Sequence, residues 1–253
     1  MKKHDIYSYK NNIHYKTQGN VIFIILIAVA LFGALSFAVT DTLQGSNTSR
    51  ITKQAAKASA AAVIKYATDI EQAVTRLQMV NFCSDEQISF ENSLFKRNNG
   101  TVFQPDGHNP NAPADNSCDV FHGNGGAVPL GLAPKEVIDS STPSSDSFAS
   151  HRNVMLVNPS IINVGSSENE LALIVPHMNP DVCRAINKML ALPSPDDMPS
   201  DTHGGLSYGG IFNGSYNSGS VLGDTATGVQ GHFMFCVKHS NLIYHYYHVI
   251  IAR

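Results

Sequence analysis

Residues Val21 to Val39, VIFIILIAVALFGALSFAV, form a run of nineteen positions without a single charge. At about 1.5 Å per residue, a helix of that length reaches roughly 28 Å and just spans a bilayer core. Its least apolar positions are Gly33 and Ser36. A secretory signal usually has a shorter apolar region, about 7–15 residues, followed by a small-x-small cleavage site. Here Ala34-Leu35-Ser36 and Ser36-Phe37-Ala38 lie inside the run and not after it. Length therefore favours an anchor that is kept over a signal that is removed. Met1 to Gly19 carries Lys2, Lys3, Lys10 and Lys16 against Asp5. Positive charge just before an apolar run holds that end in the cytoplasm, so everything from Thr40 onward is expected outside the inner membrane.

The next segment has a different pattern. After Gly45-Ser46-Asn47 the chain reads SRITKQAAKASAAAVIKYATDIEQAVTRLQMVNF. Apolar residues recur at Ile51, Ala55, Ala58, Ala62, Tyr66, Ile70, Ala73, Leu77 and Val80. Steps of three and four place them on one helix face, with Lys53, Lys57, Lys65, Asp69, Glu71 and Arg76 opposite. Ser49 is a candidate cap. The pattern predicts an amphipathic helix over 49–82 whose apolar face is core.

Charged residues make up only 15% of the chain, against roughly 25% in typical soluble domains. Gly, Pro, Ser and Asn take their place, which favours β-structure with long loops. The net charge of −3 gives no electrostatic case for nucleic acid. All four cysteines, Cys83, Cys118, Cys183 and Cys236, follow the apolar run, and none forms a CxxC pair. In an oxidising compartment an even count reads as disulfides. Of the three pairings, Cys83–Cys118 with Cys183–Cys236 closes local Gly- and Pro-rich excursions and is preferred.

The rest reads as an α+β domain over 83–253: the long N-terminal helix packed on an antiparallel sheet with long loops. Residues 98–134 carry dense Asn, Gly, Pro and Asp, which is turn chemistry. Strands are expected at Val154–Val157 and Ile161–Val164, with shorter ones near Ile211-Phe212 and Val221-Leu222. Ser167-Glu168-Asn169-Glu170 resembles a capping box, predicting a short helix through LALIV. Asn179-Pro180-Asp181 predicts a second helix start, burying Val182, Ile186, Met189 and Leu190 and stopping by Pro193. His232–Lys238 and Leu242–Ala252 predict a closing hairpin.

Candidate chemistry is thin. Gly205-Leu206-Ser207-Tyr208-Gly209 matches a nucleophile elbow, with Asp224 and His232 following in hydrolase order. Its flanks are loop-like, where an elbow needs a strand before and a helix after. His245 and His248 would share a helix face, but a strand puts them on opposite faces. Two acid sets, Asp106, Asp115, Asp119 and Asp196, Asp197, Asp201, lack the calcium-loop spacing. No catalytic residue, metal site or cofactor is expected, and the chain is read as no enzyme.

A basic leader ending in Gly19, an apolar helix, an amphipathic helix and a disulfide-bonded β-rich domain together resemble the type IV pilin and type II secretion pseudopilin superfamily. The resemblance implies cleavage between Gly19 and Asn20 by a prepilin peptidase. It divides the chain into a leader (1–19), a transmembrane helix (20–40), the amphipathic helix (49–82) and a periplasmic domain (83–253). Implied partners are the bilayer, the peptidase, and pilus or secretion subunits; the implied place is the bacterial inner membrane. Asp181-Val182-Cys183-Arg184-Ala185-Ile186-Asn187 is similar to the helical Cys-containing segment of type IVb pilins, which pairs with a Cys near the C-terminus, here Cys236. The chain departs from the family at Ile24, where pilins place a subunit-registering Glu, and at Asn20, where they favour Phe or Met. The stretches FCSDEQISFEN, NPNAPADNSCDVF, VCRAINKML and YHYYHVIIAR are more closely similar to a group of uncharacterised bacterial single-pass membrane proteins. That resemblance brings no activity with it. The alternative function is a signal-anchored periplasmic domain that binds or hydrolyses a ligand.

Overall fold

A computed structural model describes Ile25 and residues 52–92, 108–131, 133–139, 155–157, 159–192, 198–201, 212–216, 221–225, 227–239 and 243–253. Gly19, Asn20, Ser49 and the apolar run apart from Ile25 lie outside the described residues. No helix among the described residues is long and apolar enough to cross a membrane. Residues Thr52–Arg253 form one compact unit.

That unit opens with helix α1, residues 52–80. Its buried face is Ala56, Ala60, Val63, Ala67, Ile70, Ala73, Val74 and Leu77. The expected face is correct at Ile70, Ala73 and Leu77. Nearer the start it is rotated by most of one residue position: Ala55, Ala58 and Ala62 are exposed, as is Val80. Alanines occur all round this half of the helix, so hydrophobic spacing alone does not fix which ones face inward. The helix closes with the Cys83 N–H bonded back to the Leu77 carbonyl at 3.2 Å.

The main sheet has five strands in the order β1-β3-β7-β6-β4. These are β1 (Met155–Val157), β3 (Leu171–Val175), β7 (Tyr244–Ile251), β6 (Met234–His239) and β4 (Ser200–Asp201). The β1/β3, β3/β7 and β6/β7 pairs are antiparallel, and β6/β7 is the expected closing hairpin. The sheet is nevertheless mixed, because β4 runs parallel to β6. The chain leaves β3 through helix α2 (Pro180–Met189), which packs on β6 and β7, and returns as β4 in the direction of β3. Parallel strands need such a crossover, and the helix supplies it. A second ribbon pairs β2 (Ser160–Ile161) in parallel with β5 (Val221–Leu222). The Ile161–Val164 strand is thus only two residues long, and Phe212 is buried without being in a strand.

LALIV is strand β3 and not a helix. All five of its residues are buried. It lies between β1 and β7 with both faces covered, so it lacks the alternation that marks a half-exposed strand. One face contributes Leu171, Leu173 and Val175 to a core shared with α1, α2 and both disulfides. The other contributes Ala172 and Ile174 to a second core with Ile161, Leu222, Phe235 and Val249.

Helix α2 starts as predicted. The Asn179 side chain accepts from the Asp181 N–H at 2.9 Å, and Pro180 occupies the first turn. Its buried arc, however, is Val182, Cys183, Ala185, Ile186 and Asn187. Met189 is exposed and Leu190 half-buried. The helix is rotated toward Cys183 and Asn187 because both are tied to Cys236 of β6.

Candidate functional site

The four cysteines form the two preferred pairs. Cys83–Cys118 has Cα atoms 5.9 Å apart and Cys183–Cys236 5.5 Å apart, both ordinary disulfide separations. The first joins the end of α1 to a turn-rich segment; the second joins α2 to β6. Beside the second, Asn187 closes a gap that sequence reasoning missed. Its side chain donates to the Cys236 carbonyl at 2.9 Å and accepts from the Cys236 N–H at 2.8 Å. Strand β4 pairs with β6 only at Lys238 and His239, so Asn187 stands in for a strand neighbour at Cys236.

His245 and His248 do lie on opposite faces of β7. His248 faces α1: its Nε2 lies 2.8 Å from Glu71 Oε2 and its Nδ1 3.0 Å from the Tyr246 hydroxyl. Tyr246 is the donor to Nδ1, so Nε2 carries the proton and donates to the carboxylate. Carboxylate, imidazole and hydroxyl in a row are the parts of a nucleophile relay. Burial of Tyr246, aided by the charge of Glu71, pushes its pKa well above the ordinary value and keeps it protonated. Burial lowers the His248 pKa, while Glu71 works against that shift. Neither Tyr246 nor His248 is reachable from solvent. The chain of bonds therefore clamps α1 to the sheet. The sequence signals are Glu71 near the middle of α1 and the i, i+2 step from Tyr246 to His248, which stacks both side chains on one strand face.

On the opposite face, the His245 ring meets His177 and His239 at centroid distances of 5.6 and 4.7 Å, and all three are buried. His245 Nδ1 accepts the His177 backbone N–H at 3.3 Å, which assigns its proton to Nε2. While that bond stands, neither nitrogen of His245 offers a lone pair to a metal. Burial lowers the His245 pKa, and the two neighbouring imidazoles add to the effect. Among the described residues, no group of His, Cys, Asp or Glu has the arrangement to hold a metal ion.

The acid sets separate in the same way. Asp115 is exposed and accepts from the Ser117 N–H at 3.0 Å. Asp119 is buried and accepts from Phe121 N–H, His122 N–H and Ser89 Oγ, which fixes a turn. Asp201 takes Thr225 Oγ1 at 3.1 Å. Asp106, Asp196, Asp197 and the Gly205–Gly209 segment lie outside the described residues. Asp224 and His232 are described, and Asp224 bonds locally to the Thr225 N–H at 2.7 Å.

The remaining candidate is an apolar pocket of about 210 Å³ between α1 and β3. Ala62, Val63 and Tyr66 of α1, Ala133 of the following segment, and Leu173 and Val175 of β3 line it. Its polar element is the half-buried Tyr66 hydroxyl, which accepts the Gly131 N–H at 3.1 Å. Such a site holds an apolar side chain, ring or short alkyl segment and offers no group to react with it.

No protein-family model, curated protein or solved structure matches the chain.

Proposed function

We propose that this chain is a single-pass, pilin- or pseudopilin-like protein of the bacterial inner membrane that works by assembly or protein interaction. The observation that carries the reading is the role of α1. The first element after the apolar run in the sequence is also the element that the disulfide-bonded head is built around. A head organised on such a helix suits a protein whose work is to present a surface from the membrane. The leader ending at Gly19 adds the proposal that a prepilin peptidase cuts before Asn20. Mass spectrometry of the N-terminus, from cells with an active prepilin peptidase, tests it. A mature chain beginning at Asn20 is expected; an intact leader leaves a plain anchor.

The apolar pocket is the one observation favouring the alternative, an anchored periplasmic domain that binds a small ligand. Native mass spectrometry of the full chain in detergent separates the two. A bound apolar molecule of constant mass, retained through purification, would favour the alternative.

A further inference from the structure

His177 lies in the turn between β3 and α2, with its φ at +52°. The left-handed region is uncommon for any residue but glycine, so the surroundings must hold the turn there. Hydrogen bonds do so from two sides. Toward β7, the His177 N–H donates to His245 Nδ1 at 3.3 Å and the Met178 N–H to the Tyr244 carbonyl at 2.8 Å. Toward the segment 137–139, the Asn179 N–H donates to the Val137 carbonyl at 2.7 Å, and the His177 carbonyl accepts the Asp139 N–H at 2.8 Å. Three of these bonds join backbone to backbone. The fourth ends on an imidazole, an acceptor that a proton can remove.

We propose that this fourth bond is an acid-sensitive latch: a proton taken up by His245 Nδ1 releases the His177 turn, and residues 137–139 with it, while the sheet stays folded. The tautomer forces the chemistry. Neutral His245 carries its proton on Nε2, so a second proton can go only to Nδ1. That atom then becomes a donor facing the N–H of His177, and the bond is lost. The same proton puts a charge on a fully buried ring.

The groups around that ring do not offset the charge. The turn supplies the His177 ring at a centroid distance of 5.6 Å, β6 supplies His239 at 4.7 Å, and β7 itself supplies Tyr247 at 6.5 Å. From β4 comes Asp201, the register partner of His239, with its carboxylate on Thr225 Oγ1. Lys238 and Tyr244 lie on the other face of their strands by alternation. Asp139 meets the turn through its backbone N–H. Lys135 and Glu136 are exposed, as is Asp181, which bonds to Arg184. Burial lowers the His245 pKa, and His239 and His177 add to that. A histidine with a lowered pKa favours the closed turn at neutral pH and loses that preference as pH falls below the ordinary value of about 6.5. The β3/β7 and β6/β7 ladders pair backbone with backbone and do not titrate, which confines the opening to the turn. The latch rests on the fold and not on the assembly reading above.

Hydrogen exchange of the full chain in detergent, from about pH 7 to about pH 4 and corrected for intrinsic rates, tests it. Protection of residues 177–179 and 137–139 should fall about tenfold per pH unit below about pH 6.5, while β3 and α1 stay protected. Two substitutions assign the trigger. His245→Asn offers an oxygen near the Nδ1 position and cannot titrate, so the slope should vanish. His177→Asn keeps the N–H and tolerates a positive φ, so the slope should remain. Nitrogen NMR of the histidine rings in the parent needs no variant. A buried imidazole protonated only on Nε2 at neutral pH should take its second proton over the range where the turn opens. Protection independent of pH, equal loss in β3 and α1, a slope kept in His245→Asn or lost in His177→Asn, or buried rings that stay neutral as the turn opens would each overturn the latch.

Discussion

Glu170 is fully buried, and its Oε2 accepts the Ile161 N–H at 2.9 Å. Its other oxygen, Oε1, has no hydrogen-bond partner among the described residues. Burial penalises the charged form and pushes the pKa up from 4.5 to about 7. A raised acid pKa means the fold prefers the protonated group. Its contribution is fully present below the ordinary carboxylate range and is lost as pH climbs through about 7. Glu170→Gln keeps an acceptor for Ile161 and removes the titration. Its melting temperature should exceed the parent's above about pH 7, with the gap closing toward about pH 4. Melts across that range check it, and parallel curves for the two proteins would refute it. His245 acts in the opposite sense, since its pKa is lowered, and its contribution is lost as pH falls. The acid-side decline should therefore persist in the variant. None of this is legible in the sequence, where Glu170 reads as part of a capping box. Its real partner lies in β2, brought close by a turn that no local pattern announces.

Elements show where sequence reading works and where it stops. The α2 start was legible because Asn179, Pro180 and Asp181 act within one turn. The β6/β7 hairpin was legible because its runs are β-branched and aromatic and adjacent in sequence. The rotation of α2 was not, because it is set by Cys236, 49 residues beyond Asn187. Asn187→Ala leaves both the N–H and the carbonyl of Cys236 buried without their partner. At about 1–3 kcal/mol for each orphaned group, a loss of roughly 2–6 kcal/mol is expected. Urea unfolding with the disulfides intact measures it, and a loss below about 0.5 kcal/mol would mean the helix is held by packing alone. The clamp between α1 and β7 makes a different demand. Glu71 and Tyr246 do not touch each other but share His248. Glu71→Ala and Tyr246→Phe should therefore be non-additive, with a coupling of about 0.5–3 kcal/mol in a double-mutant cycle. Strict additivity would show that His248 holds its place without either partner.

In the unit from Thr52 to Arg253 the described residues form a mixed sheet covered on both faces, one core shared with α1 and α2 and one under the β2/β5 ribbon. Composition anticipated the loops and the α+β class, and the cysteine positions anticipated the pairing. The second core was not anticipated, because its pieces are short and far apart in sequence. The two disulfides close separations of 35 and 53 residues. Loop-closure entropy assigns each roughly 4 kcal/mol. A typical domain has only about 5–15 kcal/mol in total, so losing both leaves little margin. Replacing either pair, Cys83→Ala with Cys118→Ala or Cys183→Ala with Cys236→Ala, should lower stability by roughly 3–5 kcal/mol in urea unfolding. Reducing both should unfold the head near physiological temperature. This dependence bears on where the chain works, because a head that needs both bonds cannot persist where thiols are kept reduced. Maleimide labelling of protein denatured directly from cells checks the inference. No cysteine should label before reduction, and all four should label after it. Substantial labelling without reductant would place the head in a reducing compartment and remove the proposed periplasmic location.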